Sequence, residues 1–125
     1  MARSAIAYIS SDVIVALGLS CPPNTPVYLG DSNIQHMKER HPADFEKYHE
    51  RIADIINAPH YVGINPSNDS IEFVKEIQID NNDFVKIAVR ISRSGLYFAR
   101  SLYVLNPNIV QNFIRKGTLK DLTNR

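Results

Sequence analysis

The sequence has a single cysteine and lacks the usual signature motifs of cofactor and metal enzymes. Because Cys21 is alone, the chain cannot form an internal disulfide, and we do not expect a cysteine-based zinc site. Cys21 has no basic neighbour and no helix start beside it, so we expect an unreactive thiol. No GxGxxG, GxxxxGKS/T, HExxH or GxSxG motif and no carboxylate cluster suited to magnesium is present. We therefore expect no cofactor and no metal, which argues against nucleotide-cofactor enzymes and metal-dependent nucleases.

Long hydrophobic runs are also lacking. The apolar segment 5–19 is too short to span a bilayer, and Asp12 and two serines interrupt it. Its apolar residues recur at helical spacing, at Ile6, Ile9, Val13 and Leu17. This pattern predicts an amphipathic helix that stops at Gly18. We expect no membrane association and a protein that folds in the cytoplasm, whether or not it is later delivered elsewhere, to another cell or by a phage.

The charges of the chain are divided unevenly, although the net charge is only +1. Residues 1–83 contain six Lys/Arg and twelve Asp/Glu, a net charge of −6, whereas residues 84–125 contain eight and one, a net charge of +7. This division favours a C-terminal part that faces an anionic partner. The alternative is that acidic helices neutralise a basic sheet within one fold.

Helices are predicted between residues 31 and 59. Ser32 and Gln35 have capping-box spacing, which starts a helix that continues to about Arg40. His41 precedes Pro42 and is therefore biased away from helical geometry, while Pro42 suits the first position of a second helix. One apolar stripe runs along this second helix, at Phe45, Tyr48, Ile52, Ile55 and Ile56.

Strand periodicity replaces helical periodicity after residue 70. Three segments alternate with a period of two: 71–79, 84–92 and 96–105. Short turns separate them, which predicts an antiparallel meander. Asn106 and Pro107 then begin a final helix that Gly117 ends. The predicted fold is one α+β domain, residues 1–125, with N-terminal helices packed on a three- to four-stranded antiparallel sheet and a C-terminal helix; segment 27–30 would supply a fourth strand.

Two histidines lie near the end of the first of these helices. His36 and His41, with Arg40 between them, belong to the residue type best suited to proton transfer near neutral pH. Their five-residue spacing places them ~140° apart on a helix, so they do not form a two-ligand metal face. The alternative is that both are ordinary surface residues.

Cations and hydroxyls recur along the predicted strands. Lys75 interrupts an apolar face, where a lysine must extend its stem to water or meet an anion. Lys86 and Arg90 alternate with the β-branched residues of the second strand. If the apolar faces of the last two strands pair, then Arg90, Ser101 and Tyr103 share the opposite face. Such a set suits a phosphate with a base stacked nearby, and the alternative is a solvated sheet face.

Five segments have an order and spacing that resemble a known family. They are VYLGDSNIQHMKERHP at 27–42, IINAPHYVG at 55–63, IEFVK at 71–75, VRIS at 89–92 and LYFARSLY at 96–103. Together they resemble the phage-type nuclease domains grouped with barnase, EndoU, colicin tRNases and RelE. The resemblance covers roughly residues 27–117, which we expect to be the nuclease core, while residues 1–26 form a helical extension and a Pro-rich connector.

The resemblance implies a metal-independent ribonuclease, often a toxin or a phage-delivered effector, on a helix-and-sheet scaffold. It implies a catalytic set, namely His41, His36, Arg90, Lys75, Ser101 and Tyr103. The histidines would supply acid–base chemistry, the cations would hold the phosphate, Ser101 would orient it, and Tyr103 would stack a base or donate a proton. Arg40, Lys86 and Arg100 are the expected substrate-binding residues. The implied partners are an RNA substrate, with tRNA as one candidate, and an immunity or antitoxin protein.

The leading hypothesis is an endoribonuclease that cleaves RNA by attack of the 2′-hydroxyl and leaves a 2′,3′-cyclic phosphate. RNA carries its own nucleophile, so a base, an acid and cations for the phosphorane suffice without metal. One alternative is a non-catalytic module that binds RNA or protein on the same scaffold. Another is a structural phage or mobile-element protein with no role in nucleic-acid chemistry.

Overall fold

The computed structural model describes residues 4–79 and 81–123, in which a mixed set of helices and strands precedes a three-stranded meander. In chain order the elements are β1 (Ala5–Ile9), α1 (Ser11–Leu17), β2 (Thr25–Tyr28), α2 (Asp31–Arg40), α3 (Pro42–Tyr48), a 3-10 turn (His49–Arg51), α4 (Ile52–Asn57), β3 (Tyr61–Ile64), β4 (Ile71–Gln78), β5 (Asn82–Ile91), β6 (Tyr97–Leu105), α5 (Pro107–Lys116) and β7 (Leu119–Asp121). The α+β class, the meander and the C-terminal helix are confirmed.

The strands of the described residues form one seven-stranded sheet in the order β1-β2-β6-β5-β4-β3-β7. The predicted three- to four-stranded antiparallel sheet is therefore wrong in size and in direction. β2 runs parallel to β6, through the pairs Val27–Tyr97 and Tyr28–Phe98. A pairing between segments so distant in the chain leaves no local pattern in the sequence, and the three-residue strand β7 is too short to show a period.

The predicted helix over residues 5–19 is also wrong in its first half. Residues 5–9 form β1, which pairs antiparallel with β2 and buries Ala7 and Ile9 while Tyr8 is exposed. Ser10 then caps α1 by accepting a hydrogen bond from the Val13 N–H at 3.4 Å. The left-handed Gly18 ends α1 as predicted. Small and branched apolar residues fit both periods here, and pairing with β2 decides between them.

The predicted junction of two helices at His41 is confirmed. His41 has φ −142° and ends α2, and Pro42 occupies the first position of α3. The predicted start is shifted, because the cap of α2 is Gly30, whose N–H donates to Asn33 Oδ1 at 2.9 Å. The predicted second helix is not continuous, since the 3-10 turn separates α3 from α4.

The sheet is covered on both faces. Helices α1–α4 pack on one face over the larger core, which includes Met37, Ile55, Phe73 and Ile87. Helix α5 packs on part of the other face over a second cluster, formed by Val74, Phe84, Leu105, Val110 and Leu119 with the half-buried Tyr61, Tyr103, Phe113 and Ile114. We call this second side the outer face. Where α5 does not cover it, the outer face is lined by polar residues of β4, β5 and β6.

The pairing of β5 with β6 determines which residues reach the outer face. Lys86 lies opposite Tyr103, and Ala88 lies opposite Ser101. The register then shifts by one residue, so that Val89 pairs with Ala99. Arg100 is the extra residue of this β-bulge. On each side of the bulge, successive side chains of β6 still alternate between the two faces of the sheet.

Side chains from the helices cover strand amides at two sheet margins. Beyond its short pairing with β2, β6 is bordered by helices, and Asp44 of α3 accepts a hydrogen bond from the Val104 N–H at 3.0 Å. At the end of the sheet, Asn57 Oδ1 accepts a hydrogen bond from the Tyr8 N–H at 2.8 Å. No helix within the described residues is long and apolar enough to cross a membrane.

Candidate active site

His41 is placed on the outer face by the junction between α2 and α3. Its N–H donates to the Met37 carbonyl at 3.0 Å, and its carbonyl accepts from the Phe45 N–H at 2.9 Å. These bonds hold the backbone so that the imidazole stacks on Tyr103 of β6, with ring centroids 4.8 Å apart and planes inclined at 26°. Within the described residues neither ring nitrogen of His41 makes a hydrogen bond. Both nitrogens therefore remain available to a substrate.

A buried ion pair lies beside Tyr103. Lys86 Nζ is 4.5 Å from the centre of the Tyr103 ring and 2.7 Å from Glu72 Oε2. The side chains of Lys86 and Glu72 are only 10% and 7% exposed. Asn65 Nδ2 donates a longer bond, 3.4 Å, to the same carboxylate oxygen. His41, Tyr103, Lys86 and Glu72 thus form one continuous set of contacts, which we call the His41–Glu72 array.

Opposing effects act on the pKa of Lys86. Burial favours the neutral amine and lowers the pKa, but hydrogen bonds to Glu72 and Tyr103 and the charges of these partners raise it more. The net result is a pKa above the ordinary value of 10.5. Lys86 is therefore a fixed cation at neutral pH, placed against the ring on which His41 stacks.

Ser101 and Arg90 extend the outer face away from this array. Ser101 lies opposite Ala88, one alternation from Tyr103, and Arg90 lies opposite Phe98. Lys86 and Arg90 are four positions apart on β5, roughly 13 Å along the strand. The Arg90 side chain is exposed and makes no ion pair within residues 4–79 and 81–123. The predicted outward face with Arg90, Ser101 and Tyr103 is thus present.

His36 and Arg100 lie in a cleft beside the array. The cleft has a volume of about 930 Å³ and lies between β2, the start of α2, and β6. Tyr28 and Phe98 also line it. His36 therefore does not join His41, as the five-residue spacing on α2 predicts.

Lys75 is separated from the other predicted residues, because it faces the helices. Its Nζ lies 3.1 Å from Asp54 Oδ1 of α4, so the anion that a buried-face lysine needs comes from the protein itself. Arg51 donates to the second oxygen of Asp54 at 2.9 Å. The hydrogen bond from Arg51, and next that from Lys75, hold the pKa of Asp54 below its usual value against the effect of burial. Lys75 lies opposite Val85, a residue of the larger core, and is therefore on the opposite side of the sheet from the outer face.

The remaining predicted and unpredicted polar residues fall outside the array. Arg40 is exposed at the last position of α2. His49 stacks on Phe45 with ring centroids 5.1 Å apart, and His60 Nδ1 accepts the Glu76 N–H at 3.1 Å. Both of these histidines have local structural contacts. No group of three or more His, Cys, Asp or Glu side chains suited to a metal occurs among the described residues.

Glu72 is the one member of the array that the sequence did not reveal. It lies opposite Ala88 in the β4–β5 ladder, diagonal to Lys86, which is opposite Val74. The available signal was the run of turn-forming residues between the predicted strands 71–79 and 84–92, which indicates a hairpin whose register could be counted. That count places an acidic and a basic residue as diagonal neighbours on one face.

Comparison with known proteins identifies the family. No curated protein and no solved structure matches the chain. A family model described as phage-Barnase-EndoU-ColicinE5/D-RelE like nuclease3 matches residues 4–112. This match covers most of the chain, including every residue of the His41–Glu72 array. The protein therefore belongs to the phage-Barnase-EndoU-ColicinE5/D-RelE like nuclease3 family, a membership that supports a nuclease function.

Proposed function

We propose that the protein is a metal-independent endoribonuclease that cleaves RNA by 2′-hydroxyl attack. The observation that carries this proposal is that His41, whose ring nitrogens make no hydrogen bond with any described residue, stacks on a tyrosine that also contacts the buried cation Lys86. Acid–base chemistry and positive charge are thereby combined on one rigid sheet face. Membership of a nuclease family supports phosphodiester cleavage as the reaction.

The chemistry needs one proton acceptor and one proton donor. His41 takes the proton of the 2′-hydroxyl, the 2′-oxygen forms a bond to phosphorus, and the bond from phosphorus to the 5′-oxygen breaks. The Tyr103 hydroxyl donates a proton to the departing 5′-oxygen, so that the products are a 2′,3′-cyclic phosphate and a 5′-hydroxyl. Tyr103 recovers its proton from solvent or from His41 before the next cycle.

Cations on the outer face support the charge that develops on the phosphate. Arg90 provides a guanidinium that can hold two phosphate oxygens, and the Ser101 hydroxyl can donate a further hydrogen bond. Lys86 lies deeper and acts through the electrostatic field at the Tyr103 ring. Lys75 has no part in this proposal, because Asp54 holds it on the opposite face.

The direct test is cleavage of a labelled RNA in EDTA at neutral pH, with product ends identified by mass. Wild-type protein should produce 2′,3′-cyclic phosphate ends. His41→Ala should lower the rate by about 10²- to 10⁴-fold, the usual contribution of a general acid or base. His49→Gln is the matched control, because His49 contacts Phe45 and not the array, and it should retain the wild-type rate.

Two results would reject this proposal. One is the absence of RNA cleavage in EDTA by folded wild-type protein. The other is equal cleavage by His41→Ala and wild type. Salt-sensitive RNA binding without cleavage would instead support the alternative, a non-catalytic RNA-binding module, which Arg90, a cation without an ion pair among the described residues, would also suit.

A further inference from the structure

The cleft beside the array combines aromatic rings with basic side chains. Its volume, about 930 Å³, is in the range of sites that enclose small molecules. Tyr28 of β2 and Phe98 of β6 are neighbours in the parallel ladder, with ring centroids 5.9 Å apart and planes inclined at 45°. The two rings are both half-buried and form one aromatic wall of the cleft. Such a wall offers a stacking surface for a planar ligand.

Basic side chains surround this aromatic wall. Arg100 lines the cleft from the β-bulge, and His36 lines it from α2. Arg90 lies directly opposite Phe98 in the β5–β6 ladder. Within the described part of the chain neither arginine makes an ion pair. The one carboxylate among the lining residues is Asp31, at the first position of α2. The charge of the cleft therefore favours a planar ligand that also carries an anionic group.

The cleft and the array lie along the same strand. Phe98 and Tyr103 both project to the outer face of β6, and Ser101 lies between them. Five residues of strand span roughly 17 Å, and the bulge shortens this distance. A single extended polymer with repeated planar groups and anionic links could thus occupy both places together. The parallel pairing of β2 with β6 creates this arrangement, because it brings Tyr28 beside Phe98.

We propose that the cleft is a nucleotide subsite, in which an RNA base stacks on Tyr28 and Phe98 and its phosphate binds Arg100 and His36. The nucleotide belongs to the same RNA strand as the bond cleaved at His41 and is bound at a distance from that bond. This inference rests on the proposed function for its choice of RNA. It assigns binding, rather than chemistry, to His36 and Arg100, and it makes Phe98 a residue that determines how substrate is held.

The test uses a 2′-O-methyl RNA oligonucleotide that carries 2-aminopurine as a fluorescent base and cannot undergo 2′-hydroxyl attack. The chain has no tryptophan, so the signal from the probe is well separated from protein emission. Binding to wild type should quench the probe. Phe98→Leu keeps an apolar side chain but removes the ring, and it should weaken binding by about 5- to 150-fold, the contribution of one base–aromatic stack.

Arg100→Gln tests the phosphate contact independently of packing, because Arg100 is exposed in a bulge. It should weaken binding and reduce the slope of log affinity against log salt by about one. Arg115→Gln removes the same charge from the exposed last turn of α5 and is the matched control, with unchanged affinity and slope. Thermal unfolding of each variant checks that the fold is intact.

The outcomes separate this inference from the proposed function. Unchanged affinity in folded Phe98→Leu and Arg100→Gln, or no binding by wild type at low salt, overturns the subsite. RNA cleavage by wild type would leave the proposed function standing in either case. Conversely, weakened binding in both variants supports the subsite even if no RNA is cleaved, and then only the proposed reaction fails.

Discussion

Replacing Glu72 with glutamine should destabilise the protein strongly while removing only one charge. The change leaves Lys86 as a buried cation without its carboxylate partner, 2.7 Å away in the wild type. Removing one member of a buried ion pair typically costs about 3–5 kcal/mol. We expect a loss near 3 kcal/mol, because the amide oxygen of glutamine can still accept one hydrogen bond from Lys86.

The size of this loss follows from burial. The two side chains are 7% and 10% exposed, so water can replace little of the lost attraction. An exposed pair would contribute only about 0–1 kcal/mol. A domain of this size is stable by about 5–15 kcal/mol, so the expected loss is a large part of the total. The double variant Glu72→Leu with Lys86→Met removes both charges and should recover most of it.

Urea unfolding followed by far-ultraviolet circular dichroism measures these differences. With a slope of about 1.5 kcal/mol per molar urea, a loss of 3 kcal/mol lowers the midpoint by about 2 M. A shift below about 0.5 M in Glu72→Gln would refute the reasoning. So would a Glu72→Leu/Lys86→Met double variant whose loss equals the sum of the losses in Glu72→Leu and in Lys86→Met, because the effects of substituting the two members of a real pair are not additive.

The same pair predicts how stability changes in alkali. The pKa of Lys86 in the folded protein lies above the ordinary value of 10.5. The folded state therefore holds this proton more tightly than the unfolded state, and the resulting stability is fully present below pH 10.5. It is lost as the pH rises through the folded pKa. Wild type should lose more stability above pH 10.5 than the double variant, and equal losses would contradict this assignment.

Three other substitutions test separate contacts. Lys75→Met should leave RNA cleavage by folded protein unchanged but lower the free energy of unfolding by roughly 1 kcal/mol, since Asp54 loses one partner; loss of activity without unfolding would contradict the structural role. Gly63→Ala should cost about 1–3 kcal/mol, because a Cβ atom would clash with the Thr118 carbonyl where β3 meets β7, and an unchanged melting temperature would contradict this packing. Asn106→Ala should cost about 1 kcal/mol through loss of the α5 cap, measured by urea unfolding.

Local patterns predicted those parts of the fold that depend on neighbouring residues. The meander strands have strong period-two alternation, and α5 has both its Asn106 cap and its Gly117 stop. Segment 5–19 misled because Ile6 and Ile9 satisfy helical spacing while pairing with β2 makes them part of a strand. The parallel contact between β2 and β6 depends on residues about 70 positions apart, as Val27 and Tyr97 are. Periodicity carries no information at that range.

The candidate site shows the same limit. Alternation correctly placed Ser101 and Tyr103 on one face, and the proline after His41 correctly placed that histidine at a helix junction. The stacking of His41 on Tyr103 required the tertiary path of α2 and α3 beside β6. The resemblance implied that Lys75 acts together with Arg90, but the Lys75 side of the strand faces α4. The side of β4 on which Lys75 lies, rather than its charge, determines that it pairs with Asp54 and not with the outer face.

The two capped strand amides bear on how the protein behaves at high concentration. Asp44 and Asn57 occupy, by hydrogen bonds to Val104 and Tyr8, backbone donors that a strand of a second molecule would otherwise use. Self-association by sheet extension is thereby opposed at β1 and at the end of β6, by a single side-chain oxygen at each place. Asp44→Ala or Asn57→Ala would remove that protection with little loss of core packing. Protection of these two strand edges is thus encoded in the helices, at Asp44 and Asn57.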